Sequence, residues 1–264
     1  MKITFLGVGE SCDEMYPNTS VWVESFRDGV RSSVLLDCGF TVPPLYWRQN
    51  SNPDDLDALW ISHFHGDHFF GTPALLLRFW ERKRSKPLVV LGPKGVEEVI
   101  TASMELAYGG FFNKLNYSLH FKEANPREPL VCAGLNWSFA ENLHSREDLA
   151  VRLEDGKHAV FYSGDGLYTE ETVALADKVD LAIHEAFTLD GDTAGHGSVF
   201  KCLEFGRRAS VKRLALVHMQ RDERRERMEE IELHLKGVKD LNVLLPEPGD
   251  GLVLSREEER RDGS

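Results

Sequence analysis

The chain has 264 residues, enough for one large α/β domain or two modest ones, and its 42% apolar content can fill a core. A formal net charge of -12 argues against a general polyanion binder, because nucleic-acid affinity draws on phosphate neutralisation by Lys and Arg. No apolar run approaches membrane-spanning length and residues 1–7 read as a strand rather than a leader, so no membrane partner and a cytoplasmic protein are expected.

Strands are expected over 3–6, 21–26 and 33–37, punctuated by Gly7, Gly9 and Gly39, with a short helix over 44–49. A strand at 58–62 follows, then a polar loop, a helix at 73–82, a strand at 88–91 and a helix at 96–107 behind Pro93. The second half repeats the alternation, with strands at 117–121, 135–141, 149–153 and 158–163, a helix at 170–176 and a strand at 181–184. A strand at 213–218, a helix at 221–235 and strands at 242–245 and 251–254 close the chain. Strands grouped in each half with helices outside predict an α/β fold of two sheets packed face to face and covered by helices. One domain over 1–255 is expected, with a frayed charged tail at 256–264.

Cys12, Cys38, Cys132 and Cys202 form no Cys-x-x-Cys pair, which fits neither a zinc knuckle nor a disulfide framework. The mixed-sign stretch 221–230 precedes apolar Ile231, Leu233 and Leu235 and reads as a solvated helix face.

Chemistry concentrates in His63-Phe64-His65-Gly66-Asp67-His68, which packs three imidazoles and a carboxylate into six residues after an apolar strand. Residues two apart in extended backbone share a face, so His63 and His65 point one way. Gly66 permits a turn that returns Asp67 and His68 toward the same point, which makes two adjacent metal sites geometrically feasible. Nitrogen and oxygen donors without a thiol suit zinc, with manganese or iron as other occupants. Three later apolar runs also end in a potential ligand: 135–140 leads to His144, 158–162 to Asp165 between two glycines, and 213–217 to His218.

With those residues in hand, the chain resembles a metallo-β-lactamase-fold hydrolase from the Gly7-Val8-Gly9 turn through His218. The resemblance implies a four-layer αββα sandwich of two mixed sheets. It also implies that His63, His65 and His144 hold one divalent ion, Asp67, His68 and His218 hold a second, and Asp165 bridges them. Three ligands and a shared carboxylate leave each ion open to water, as a catalytic site needs. A metal-bound hydroxide is the expected nucleophile, with Asp67 placed to take or orient its proton.

His184-Glu185-Ala186-Phe187 followed by Gly195-His196-Gly197-Ser198 is similar to the ribonuclease Z-like branch. That likeness implies that His196 faces the scissile phosphate, to stabilise charge or protonate the leaving oxygen, and that Glu185 orients it. His184 reads as structural, and His120, His158 and His234 as surface residues. Ribonuclease Z carries a long RNA-gripping arm between its third histidine and bridging aspartate. Here 20 residues separate His144 from Asp165, enough for two strands and no arm.

A phosphodiesterase acting on a small or cyclic phosphodiester is therefore the leading expectation, with a homodimer implied by the resemblance. A tRNA 3′-processing endonuclease that binds RNA through a partner subunit is the alternative. A lactone or thioester hydrolase and a non-enzymatic module that has kept the fold rank lower, since fold alone does not fix function.

Overall fold

A computed structural model describes residues 1–255 other than 28 and 192. Its first sheet is built from β1 (Lys2–Gly7), β2 (Ser20–Arg27), β3 (Val30–Leu36), β4 (Ala58–Trp60), β5 (Leu88–Gly92) and β6 (Leu119–Glu123). The second comprises β7 (Leu130–Cys132), β8 (Leu135–Glu141), β9 (Leu149–Glu154), β10 (Ala159–Tyr162), β11 (Leu181–Glu185), β12 (Arg213–Val217) and β13 (Asn242–Leu244). The last strand, β14 (Gly251–Val253), returns to the first sheet beside β1. The helices are α1 (Val42–Gln49), α2 (Gly66–Phe69), α3 (Thr72–Glu81), α4 (Val96–Ala107), α5 (Glu170–Leu175), α6 (Val199–Arg208) and α7 (Arg221–Gly237).

The sheet orders are β14-β1-β2-β3-β4-β5-β6 and β13-β12-β11-β10-β9-β8-β7. In each, an antiparallel half (β1 to β3, β7 to β10) passes into a parallel half (β3 to β6, β10 to β13). Parallel strands are covered on both faces, which is why β4 and β11 are buried along their whole length. Between the sheets Trp60 stacks on Phe139 at 5.2 Å and meets Trp137 at 6.1 Å, within a core that includes Phe5, Val34, Val151 and Ala215. A second apolar layer joins the first sheet to α1, α3 and α4, and a third joins the second sheet to α6 and α7. The expected four-layer sandwich of two mixed sheets is the fold.

Several boundaries shift for physical reasons. The 33–37 and 58–62 strands stop at Leu36 and Trp60, because Asp37 turns into a left-handed conformation (φ 58°) and the chain beyond Trp60 bends toward the His motif. The 117–121 strand moves to Leu119–Glu123 because Tyr117 is held out of the ladder, its hydroxyl donating to the Leu76 carbonyl. Helix α6 was not expected from the sequence, yet Ser198 caps it by accepting from the Lys201 N–H at 3.4 Å. Strand β7 and the one-turn α2 were also missed. His120 is exposed, but His158 is half-buried near the Met1 amino group (3.4 Å) and His234 is half-buried against the Phe200 ring (4.4 Å). All four thiols are free, with Cys12 exposed and the others buried. The tail at 256–264 lies outside the described residues. No described helix is long and apolar enough to cross a membrane.

Candidate active site

The expected donors follow the ends of strands. The loop after β4 carries His63 and His65 and runs into α2, which carries Asp67 and His68, while the turns after β8, β10 and β12 carry His144, Asp165 and His218. His218 takes a left-handed backbone (φ 56°), with its N–H donating to the Val8 carbonyl at 2.8 Å. A non-glycine residue in that region is uncommon, and here it swings a ring off the strand axis into the site.

Two groups of donors converge. His63 Nε2 lies 3.0 Å from His65 Nδ1, which in turn lies 3.1 Å from His144 Nε2. His218 Nε2 and His68 Nε2 each lie 3.3 Å from Asp67 Oδ2. Asp165 stands between the groups, with Oδ2 3.8 Å from His63 Nε2 and Oδ1 3.4 Å from both His68 Nε2 and His218 Nε2. A further grouping of Asp165, His196 and His218 meets the same proximity, donor atoms within 4.8 Å of one another. His68 Nε2 and Asp165 Oδ1 are buried with no hydrogen-bond partner. Orphaned polar atoms are costly in a dry interior, so their convergence fits cations between them.

The rings are aimed from behind. His68 Nδ1–H donates to Asp37 Oδ2 at 2.7 Å, His144 Nδ1–H donates to the Gly195 carbonyl at 2.6 Å, and His63 Nδ1 lies 2.8 Å from Asp148 Oδ2. Each contact turns Nε2 toward the cluster, the arrangement that fixes a ligand's tautomer and raises its basicity. Asp37 also accepts from the Ser62 N–H (2.7 Å), the Ser62 hydroxyl (2.8 Å) and the Tyr162 hydroxyl (2.7 Å).

Backbone packing clamps the motif. Cys38 N–H donates to the His68 carbonyl at 2.7 Å and Gly71 N–H to the Cys38 carbonyl at 2.9 Å. A Cβ on Gly39 would fall 2.6 Å from the Asp67 carbonyl carbon, so glycine is what lets the 37–41 turn lie against the 65–68 turn.

Burial and charge divide the imidazoles. Burial and the neighbouring rings push His63 down to about 3 and His65 down to about 4. His218 is buried too, but Asp165 and Asp67 outweigh that burial and push it up to about 9. Burial alone would raise Asp67, and the pull of His68 and His218 reverses it, holding the carboxyl well below the usual range.

His196 lies at the half-open side. Its ring stacks on Phe187 at 4.3 Å and meets His144 edge-on at 5.1 Å. Glu185 Oε1 sits 3.5 Å from His196 Nδ1, but its short hydrogen bonds are from the Gly166 N–H (2.9 Å) and Gly197 N–H (2.8 Å). Glu185 therefore braces the two glycine turns and reaches the ring more loosely. Burial would lower the His196 imidazole, and the Glu185 carboxylate outweighs it, raising its proton affinity. His184 is buried, with Nδ1–H donating to the Glu185 carbonyl at 2.8 Å, in keeping with a structural role.

Sequence reasoning missed Asp37, Asp148, Tyr162 and Phe187. Asp37 carried a usable signal, since Asp37-Cys38-Gly39 repeats the apolar strand ending in a polar group that marked Asp165 and His218. Asp148, four residues after His144 and hidden among Arg146 and Glu147, carried none.

The two-sheet sandwich is the metallo-β-lactamase fold, and this cluster of donors could hold metal ions. Within that fold, the chain belongs to the family described as "Anti-Pycsar protein Apyc1", which matches residues 1–237. Ribonuclease Z from Methanosarcina acetivorans is 33% identical over 153 residues, covering 58% of this chain and 48% of that protein. The chain thus spans about half the length of that relative. The metallo-beta-lactamase fold protein YhfI from Bacillus subtilis superposes with a TM-score of 0.76 at 23% identity, covering 96% of this chain and 99% of that one. Human tRNase Z, short form (ELAC1), superposes with a TM-score of 0.75 at 21% identity, covering 97% and 100%. These two likenesses establish the shared fold.

Proposed function

We propose that the chain is a two-metal phosphodiesterase acting on a small or cyclic phosphodiester. His63, His65 and His144 would hold one divalent ion, Asp67, His68 and His218 the other, with Asp165 shared, and the nitrogen and oxygen donor set favours zinc over manganese or iron. Ions bound there supply an activated water and offset the charge that builds on phosphoryl oxygens. The chain's own residues do the rest. Asp67, kept ionised beside His68 and His218, accepts or orients the proton of the attacking water. His196, facing the Glu185 carboxylate and backed by Phe187, holds a proton more firmly than a free imidazole and delivers it to the leaving oxygen. In this reading residues 1–255 act as one cytoplasmic domain, as a homodimer.

The observation that carries the choice of substrate is the connection between His144 and Asp165. It is filled by β9, β10 and their turn, which leaves no protruding arm to grip an RNA. Ribonuclease Z activity is the second reading, supported by the name of the Methanosarcina acetivorans relative. Metal-quantified protein assayed on bis(p-nitrophenyl) phosphate, cyclic mononucleotides, precursor tRNA and acyl esters separates them. Turnover of the small diesters without tRNA cleavage is expected. Efficient tRNA trimming, or acyl esters turning over far faster than phosphodiesters, would overturn the assignment.

A further inference from the structure

We propose that Asp148 is a positioning residue that aims His63 and seats Asp165 with one carboxylate. The inference rests on reading the cluster as a two-metal centre. Asp148 lies at the entrance to β9, fully buried, and reaches from the second sheet to the His motif of the first. Its Oδ2 stands 2.8 Å from His63 Nδ1 and also accepts the Asp165 N–H at 3.0 Å. Its Oδ1 accepts from Asn142 Nδ2 at 3.3 Å, and the same amide donates to the Ser163 carbonyl at 2.7 Å.

The surrounding backbone is shaped to admit this carboxylate. The Leu149 N–H donates to the Ser62 carbonyl at 3.1 Å, which places Asp148 beside the Ser62–His63 step. Gly164 takes a left-handed φ of 66°, and a Cβ there would fall 2.6 Å from Asp148 Oδ2 and 2.7 Å from Ser62 Cβ. A larger residue at 164 would expel the carboxylate from its seat.

What Asp148 supplies follows from the two atoms it holds. His63 has a competing partner at Nδ1, the Ser62 hydroxyl at 3.1 Å, which is able to donate as well as accept. With Asp148 Oδ2 at 2.8 Å and the Ser62 hydroxyl at 3.1 Å, Nδ1 is the engaged nitrogen and Nε2 is left to face His65 and Asp165. By accepting the Asp165 N–H it fixes the turn from which the shared carboxylate projects. Asp37 plays the corresponding part for His68, so the two donor groups are each braced by a buried aspartate, one from each sheet.

Metal binding tests the role directly. Zinc is titrated against a competing chelator into wild type, Asp148→Asn, Asp148→Ala and Asp37→Ala. The cobalt-loaded forms are followed by visible absorption, and folding by circular dichroism. Loss of an orienting partner is expected to weaken one ion about 10- to 100-fold. In Asp148→Ala that ion is the one at His63, His65 and His144, weakened at least tenfold more than the other. Asp148→Asn, which keeps one acceptor oxygen and the side-chain size, falls between wild type and Ala, and Asp37→Ala weakens the opposite ion. If Asp148→Ala does not fold, a selective loss in Asp148→Asn supports the role by itself. Asp148 variants that bind both ions as wild type does, or lose both equally in a folded protein, overturn it. Wild type that binds no metal would instead sink the two-metal reading.

Discussion

Gly39→Ala is a sharp test of how the His motif is held, because the added methyl group meets the Asp67 backbone and alters no donor side chain. Its Cβ would lie 2.6 Å from the Asp67 carbonyl carbon and 2.8 Å from Asn18 Cβ. Ordinary carbon contacts begin near 3.4 Å, so one of the two turns must move by roughly 1 Å, and a displacement of that size at a reacting centre costs about 100-fold in rate. Asn18 is tied to Thr41 by hydrogen bonds of 2.7 and 2.9 Å, which leaves the Asp67–His68 segment to yield. Turnover of bis(p-nitrophenyl) phosphate by the metal-loaded variant is expected to fall about 100-fold, with the Asp67, His68 and His218 ion bound more weakly and the circular dichroism unchanged. Gly237→Ala, at the end of α7 with no atom within 4 Å of the added carbon, serves as the control and keeps wild-type turnover. Wild-type rate and metal content in Gly39→Ala would refute the argument that this close approach sets the site.

His196→Ala is expected to lower phosphodiester turnover about 100-fold or more while metal content stays at the wild-type value; a variant that loses an ion would make His196 a ligand, as its proximity to Asp165 and His218 allows. Metal uptake should also be coupled to protons unequally. His63 and His65, with affinities near 3 and 4, are already neutral at pH 7, whereas His218, near 9, must shed a proton to ligate. His68, buried but raised as well by Asp165 and Asp37, must also shed its proton, so the ion at Asp67, His68 and His218 binds more weakly at pH 7 than at pH 9. Calorimetric titration in two buffers of different ionisation enthalpy should therefore register proton release for this ion and none from His63 or His65; equal release at both, or none at either, contradicts the division.

The sandwich was readable because its strands announce themselves. Runs such as 135–141 alternate or are uniformly apolar, and they end where glycines and polar clusters begin. The clustered donors were readable for the same reason, since His144, Asp165 and His218 each close an apolar run. Helix α6 escaped because 195–198 reads as a glycine-rich loop and Gly206 interrupts the helical stretch, although close packing against Leu241 and Leu214 explains that glycine. Asp148 and Tyr162 escaped for a different reason. Their roles depend on contacts across the two sheets, with Asp148 reaching His63 and Tyr162 reaching Asp37 over 125 positions of sequence, and no local pattern records such a meeting. The contact of His158 with the distant Met1 amino group is likewise invisible to local pattern.

The donors are divided between the two sheets. His63, His65, Asp67 and His68 come from the first, and His144, Asp165 and His218 from the second. A pair of ions seated among them would act as a cross-link between layers that otherwise cohere through the Trp60, Trp137 and Phe139 packing. Ligand that binds only the native state adds about 2.7 kcal/mol at a free concentration 100 times its dissociation constant. With such a pair bound, the melting temperature would report free metal as much as sequence, and a fragment carrying either sheet alone would lack a complete cradle for the pair.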